Sequence, residues 1–279
     1  KFPHTYFLSW PWTETWLKSL PEDCGISLVA GFVNESPVIA FFLGSKTVAR
    51  GRFFKFRQVA LNQTLIPDID IIWIEYNTIL TDPEISINLA TIIKLLPGEL
   101  LWDEFHMIRC ESIRLPASVS HLDPTDRYNL SIVRHKSYYV NLEKVRNSND
   151  YLTLLSQSKR LQVRRSIKEY GKIGELQLSV AGNTEDALRI LDELIELHQK
   201  RWTERGQPGA FSNPYFLNFH KNLIISRFNH GEIQLMKLSA GTTTVGCLYN
   251  FIYNGTVLFY QSGFNYGINN IYRPGLTSH

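Results

Sequence analysis

The chain has only three cysteines in 279 residues, Cys24, Cys110 and Cys247, odd in number and far apart. That excludes a disulfide framework and the paired spacing of a zinc site, and it favours buried, reduced thiols. Long apolar runs are missing too. Stretches such as Pro37–Leu43 and Ile69–Ile74 fall far short of the ~20 residues that cross a bilayer. The start, Lys1-Phe2-Pro3-His4, has neither an initiator methionine nor signal-peptide architecture, so the expectation is a cytoplasmic protein, with a peripheral place at the inner membrane left open. Without a secretory signal, the three glycosylation-like triplets at Asn62, Asn129 and Asn254 read as chance. Net charge is only +3, so a nucleic-acid partner would have to be argued from local clustering. Metalloprotease, nucleophile-elbow, Walker and dinucleotide signatures are all absent. Ser156-Gln157-Ser158-Lys159 stands without the companion motifs that would give a Ser-x-x-Lys pair meaning.

What is present is an ordinary globular composition, 44% hydrophobic and 20% charged, at a length that suits two domains. The first half reads as a helix near Trp10–Leu17, strands at Ile26–Val33, Val38–Leu43, Phe53–Leu61, Ile69–Tyr76 and Leu100–Ile108, and a helix at Glu84–Leu96. A polar stretch with Pro116 and Pro124 suggests the division 1–111, a crossover 112–136, and 137–279. The second half reads as a strand at Ser137–Leu142, helices at Asp150–Ser156 and Lys159–Tyr170, and a helix capped by Asn183 or Thr184 that runs to Trp202. A helix at Tyr215–Phe228 follows, then strands Glu232–Ser239, Thr244–Tyr253 and Thr256–Phe264. The last two are joined by Asn254-Gly255, the strongest short hairpin signal. The fold class is α/β in the broad sense, a mixed α+β chain.

Two helices, a three-stranded meander, and a loop entering a helix is the order of a GNAT domain. Leu197-His198-Gln199-Lys200-Arg201-Trp202, Arg205-Gly206-Gln207-Pro208-Gly209-Ala210-Phe211, Tyr260-Gln261-Ser262-Gly263-Phe264 and Arg273-Pro274-Gly275-Leu276-Thr277-Ser278-His279 carry the likeness in the second half. Leu61-Asn62-Gln63-Thr64 and Ile74-Glu75-Tyr76-Asn77 carry it in the first. Together these strings resemble the CelD/BioF-like acetyltransferases of bacteria, relatives of the Fem peptidyltransferases. The resemblance implies tandem GNAT-like domains, each a mostly antiparallel sheet flanked by helices, with activity chiefly in the second. It also implies that a GNAT domain would continue past His279, so the second unit is expected to be incomplete at its C-terminal side.

The implied activity is N-acyl transfer from acyl-coenzyme A, with acetyl-coenzyme A the simplest donor and no metal, onto the amine of an amino sugar, amino acid, peptide or glycan. Aminoacyl-tRNA is the donor under a Fem-type alternative, and a non-catalytic module in polysaccharide biosynthesis is a third. Such a reaction needs a neutral amine, a donor to the developing oxyanion, and a proton for the leaving thiolate. Tyr260 is the candidate proton donor and Gln261 an orienting group, with a plain strand tyrosine as the alternative. His198, four residues after Leu194 on the apolar stripe, is a candidate proton relay or a core histidine. Arg201, Trp202 and Phe211 are candidate acceptor contacts. Arg273, Gly275, Leu276 and Thr277 form a candidate cofactor segment, since a helix start suits a pyrophosphate, although proline and glycine also mark plain turns. Arg164 and Arg165 sit in a basic run from Lys159 to Lys172 that is either a solvated face or a binding surface for a phosphorylated carrier, an acidic glycan, a lipid surface or tRNA.

Overall fold

The computed structural model describes residues 4–85, 91–92, 96, 102–107, 133, 135–148, 150–267 and 269–279. Contacts group the chain into two units, Lys1–Tyr128 with Asn213–Leu223, and Asn129–Ser212 with Ile224–His279. The sequence expectation assigned all of 137–279 to one domain, whereas Asn213–Leu223 groups with the first unit. Each unit is an antiparallel-rich sheet with helices against it, a mixed α+β architecture consistent with tandem GNAT-like domains.

In the first unit, helix α1 (Trp10–Ser19) begins with Pro11 in its first turn, where the missing N–H costs nothing, and buries Trp12 and Trp16. Strand β1 (Ile26–Val33) pairs antiparallel with the long β2 (Ser36–Arg50), and β2 with β3 (Phe54–Leu61). The two-residue β4 (Leu80–Thr81) pairs with the start of β2, and β5 (Glu104–His106) runs parallel to β3. The Trp16 ring meets Phe42 of β2 edge-on at 5.6 Å, which fixes α1 on the sheet.

The expected strand at Ile69–Tyr76 does not form. Pro67 starts a one-turn helix α2 (Pro67–Asp70), and the Asp70 carboxylate accepts from the Thr64 and Leu65 N–H groups, which closes the loop on itself. Trp73 and Tyr76 then have positive φ, which no strand tolerates, so Ile69 is buried from α2, and Ile72 and Ile74 from irregular backbone. The two first-half strings noted above bind each other here. The Asn62 amide accepts from Phe42 N–H at 2.9 Å and donates to Asn77 Oδ1 at 2.8 Å, while Asn77 donates to the Leu61 carbonyl at 2.8 Å. Most of the expected helix Glu84–Leu96, most of the crossover 112–136, and Cys110 lie outside the described residues, whereas residues 102–107 of the expected strand Leu100–Ile108 are described and hold β5.

The second unit opens differently from expectation as well. Residues 137–141 are exposed and irregular rather than a strand, and lead into a short helix α3 (Leu142–Ser148). Tyr151–Leu154 is one 3₁₀ turn, not a longer helix. Helix α4 (Gln157–Tyr170) follows, capped by the Ser156 hydroxyl, which accepts from Lys159 N–H. Strand β6 (Leu176–Val180) was not anticipated. Helix α5 (Thr184–Thr203) is capped by Asn183, whose Oδ1 accepts from Asp186 N–H at 2.8 Å. Helix α6 (Pro214–Arg227) precedes the meander β7 (Ile233–Ala240), β8 (Thr243–Tyr253) and β9 (Thr256–Phe264), and the antiparallel sheet runs β6-β7-β8-β9. A short helix α7 (Pro274–Ser278) ends the chain.

Two glycines show which helix covers which face of this sheet. A Cβ on Gly263 would lie 2.3 Å from the Leu194 carbonyl oxygen, so α5 presses directly on β9. A Cβ on Gly246, which pairs with Phe264, would meet the Phe264 ring and the Ser278 hydroxyl of α7. Neighbouring strand residues point to opposite faces, so α5 covers one face and α7 the other. Helix α4 joins α7: the Ser166 and Thr277 hydroxyls are 2.6 Å apart, and Tyr170 packs on Ala240 and Val245.

Candidate active site

The alternation of β9 breaks at one place. Tyr249 faces Gln261 and Asn250 faces Phe259, which leaves Tyr260 as an extra residue, a β-bulge. The bulge turns Tyr260 and Gln261 inward together, and both are buried in succession. It also brings Phe259 and Phe264 onto the same face, where the His279 ring meets them at 4.7 and 6.1 Å. The Tyr260 ring sits 5.9 Å from Tyr249 and 5.1 Å from Phe251. Both partners are at odd positions of β8, the parity of Gln261 and Gly263, and so lie on the α5 face. Among the described residues no strand pairs with the far edge of β9.

On that face α5 carries His198, whose environment is built by the loop that follows the helix. Gly209, at φ 72°, lets the chain run so close that a Cβ there would lie 2.3 Å from Gln199 Oε1 and 3.2 Å from Trp202 Cβ. The Gln199 amide nitrogen donates to the Pro208 carbonyl at 2.8 Å, which turns its Oε1 toward His198 Nδ1 at 3.1 Å. Only a protonated Nδ1 can satisfy that oxygen, so the proton is assigned to Nδ1 and Nε2 keeps its lone pair. Burial holds the His198 pKa below the usual histidine range, against a smaller upward pull from Gln199, so the ring is neutral at pH 7. Phe211 meets it edge-on at 5.1 Å and Trp202 lies at 5.9 Å. The two adjacent strings, from Leu197 to Trp202 and from Arg205 to Phe211, are therefore one local structure.

Arg201, next on the helix, lays its guanidinium over the Tyr266 ring at 4.5 Å and reaches Glu204 only at 3.8 Å, while its Nε is buried without a hydrogen-bond partner. A stacked, weakly paired guanidinium keeps donors for an anionic group. Tyr266 and Gln199 were not singled out from the sequence. Gln199 was adjacent to the candidate histidine, but the turn at Gly209 that aims it has no local signal.

Arg164 and Arg165 do not join this group. They lie exposed on α4, across the sheet from α5. In the 273–277 segment much of the polar capacity is used internally. Arg273 N–H donates to Ser166 Oγ at 3.1 Å and the Thr277 hydroxyl meets the same oxygen. Gly275 packs 3.2 Å from Phe264 as measured to an added Cβ, so its lack of a side chain is explained by this contact. The Arg273 side chain is exposed and Leu276 half-buried. Cys247 is buried on the α5 face with its thiol pushed up to about 12 by burial, which makes it inert. Cys24 is half-buried. No group of three His, Cys, Asp or Glu suited to a metal occurs among the described residues.

No curated protein matches the chain. The stretch from Gln157 to His279, which holds α4, α5, the meander and the bulge, matches the family of the acetyltransferase (GNAT) domain, a match that supports a general acyltransferase function.

Proposed function

We propose that the protein transfers an acyl group from acyl-coenzyme A to an amine by direct attack in a ternary complex, at the bulge of β9 on the α5 face. The observation that carries this reading is the bulge itself. It interrupts the ladder at Tyr260 on a strand whose far edge has no described partner, and such a break re-aims side chains, here Tyr260 together with Gln261, to the α5 face.

In this reading the amine nitrogen attacks the thioester carbonyl. A C–N bond forms, the C–S bond breaks, and His198 Nε2 takes the amine proton, its tautomer fixed by Gln199. The Tyr260 hydroxyl protonates the leaving thiolate and recovers its proton from solvent. Trp202 and Phe211 wall the acceptor side, Gln261 orients the acceptor, and Arg201 binds an acidic group on it. For the donor, the α7 start offers the first-turn N–H groups of Gly275 and Leu276 and the exposed Arg273 side chain, on the face opposite His198.

The test is release of the coenzyme A thiol by the full-length protein, given acetyl- and longer acyl-coenzyme A with a panel of amino sugars, amino acids and peptides. Calorimetry alongside should show micromolar binding of the acyl donor. Tyr260→Phe keeps the packing against Tyr249 and Phe251 and removes only the hydroxyl. It should lower kcat by about 10²-fold, within the range of acid–base contributions, with little change in KM. Unchanged turnover would remove the Tyr260 role. Binding of charged tRNA with no acyl-coenzyme A binding would replace the donor, and binding of neither would point to a non-catalytic module.

A further inference from the structure

The charge of this chain is concentrated in one stretch. Residues 133–173 hold ten Lys and Arg against three Asp and Glu, +7, in a chain whose net charge is +3, so the remainder is acidic. Of those cations only Lys172 closes an ion pair among the described residues, with Glu169. Helix α4 buries Val163, Ser166 and Tyr170 and turns Arg164, Arg165 and Lys168 outward. Two aliphatic side chains stand outward with them, Leu161 at 60% exposure and Ile167 at 41%. The same mixture precedes the helix. Tyr138 and Tyr139 are about nine-tenths exposed, α3 buries none of its residues, and Leu142 and Leu154 are open to solvent.

We propose that this basic and apolar surface docks on an anionic phospholipid membrane. The cations match the phosphate and carboxylate headgroups, each worth about 1 kcal/mol near such a surface, or about fivefold in affinity. The aliphatic and tyrosine side chains decide the occupant. A nucleic-acid backbone offers Leu161 and Ile167 no apolar contact, whereas the boundary between headgroups and acyl chains takes both, and tyrosines favour that depth. No helix among the described residues is long and apolar enough to cross a membrane. The proposed docking side chains point outward from α4 and are none of the groups assigned above to the acyl donor or the acceptor.

The experiment is co-sedimentation of the full-length protein with vesicles of phosphatidylcholine alone and with about 30% phosphatidylglycerol added, across a salt series. Binding is expected only to the anionic vesicles and should fall steeply with salt. Replacing Arg164, Arg165 and Lys168 together by Gln should weaken it by on the order of 100-fold. The charge-neutral pair Leu161→Gln with Ile167→Gln should weaken it by about tenfold, a loss that a purely electrostatic polyanion site would not show. All five side chains are exposed, so unchanged melting temperatures are expected and exclude misfolding as the cause. Equal sedimentation with neutral vesicles, full retention by the Leu161 and Ile167 pair, or tighter binding to a transfer-RNA-sized RNA than to anionic vesicles would each overturn the proposal.

Discussion

At the scale of single residues, two buried histidines make separate pH predictions. His220 is fully buried against Trp12, Phe216 and Phe219, and that burial pulls its pKa down to about 3 from an ordinary 6.5. Between those two values the unfolded chain carries a proton that the folded chain refuses. The stability contribution is therefore complete above pH 6.5 and is lost as pH falls toward 3, at no more than about 1.4 kcal/mol per pH unit. A His220→Phe variant should show a shallower acid slope by one proton when urea unfolding is followed from pH 7 to 4. Equal slopes would show that His220 is protonated in the folded chain. Under the proposed acyl transfer, His198 acts on rate instead. Its depressed pKa should set the acid limb of kcat/KM below the usual histidine range, and His198→Gln should abolish that limb and cost about 10²–10³-fold in kcat. Gly209→Ala should disturb the same limb without touching the ring. A side chain at Gly209 displaces Gln199 and with it the hydrogen bond that holds Nδ1–H. A limb untouched by Gly209→Ala would deny Gln199 its positioning role.

At the scale of elements, closeness of approach separates glycines that look alike in sequence. Gly255 has φ 72° and open space around it, so Gly255→Ala costs only the left-handed backbone, about 1–2 kcal/mol. Gly263 has no such φ, but its Cβ would strike the Leu194 carbonyl and Leu197, so the helix must lift off the strand. Gly263→Ala should cost more, about 3 kcal/mol, and, under the proposed acyl transfer, should also lower turnover because it separates α5 from the bulge. Urea midpoints for the two variants decide this, and a smaller loss at Gly263 would mean that α5 yields freely. The sequence announced Gly255 through the Asn-Gly hairpin and said nothing of Gly263, because a turn is local and a helix–strand approach is not. The same division runs through the fold. The apolar stripe of α5, its cap at Asn183 or Thr184 and the three strands of the meander were legible, each from a run of neighbouring residues. The alternation of β6 was there to be read in Leu176, Leu178 and Val180, but five residues with Leu178 and Val180 facing solvent give a weak pattern. The apolar run Ile69–Ile74 looked like a strand because burial without periodicity does not distinguish a strand from a packed loop. In the candidate site, His198, Arg201, Trp202, Phe211, Tyr260 and Gln261 were all named from the sequence. The bulge that turns the last two to one side was not, since register depends on the partner strand.

At the scale of the whole molecule, the chain order and the packing order differ, and that has a consequence for the GNAT segment taken alone. Helix α6 lies inside the stretch that matches the acetyltransferase domain, yet Asn213–Leu223 groups with the first unit. Within that unit Phe219 meets Trp12 at 4.9 Å, Phe216 meets Trp73 at 6.1 Å, and Tyr215 shares a 2.9 Å hydrogen bond with Ser19. Phe216, Phe219, His220 and Leu223 are at most 1% exposed in the full chain. A fragment of residues 129–279 strips from them the rings of Trp12 and Trp73. Each aromatic side chain left to water forfeits about 1.5–3 kcal/mol of burial, so two phenylalanines and a leucine amount to most of the stability of a small domain. The fragment should therefore be poorly soluble or bind a hydrophobic dye strongly, and adding residues 1–128 as a separate chain should restore a cooperative thermal transition. A fragment that melts cooperatively by itself at the temperature of the full chain would show that α6 finds its burial within the second unit, and that residues 1–128 do not stabilise it.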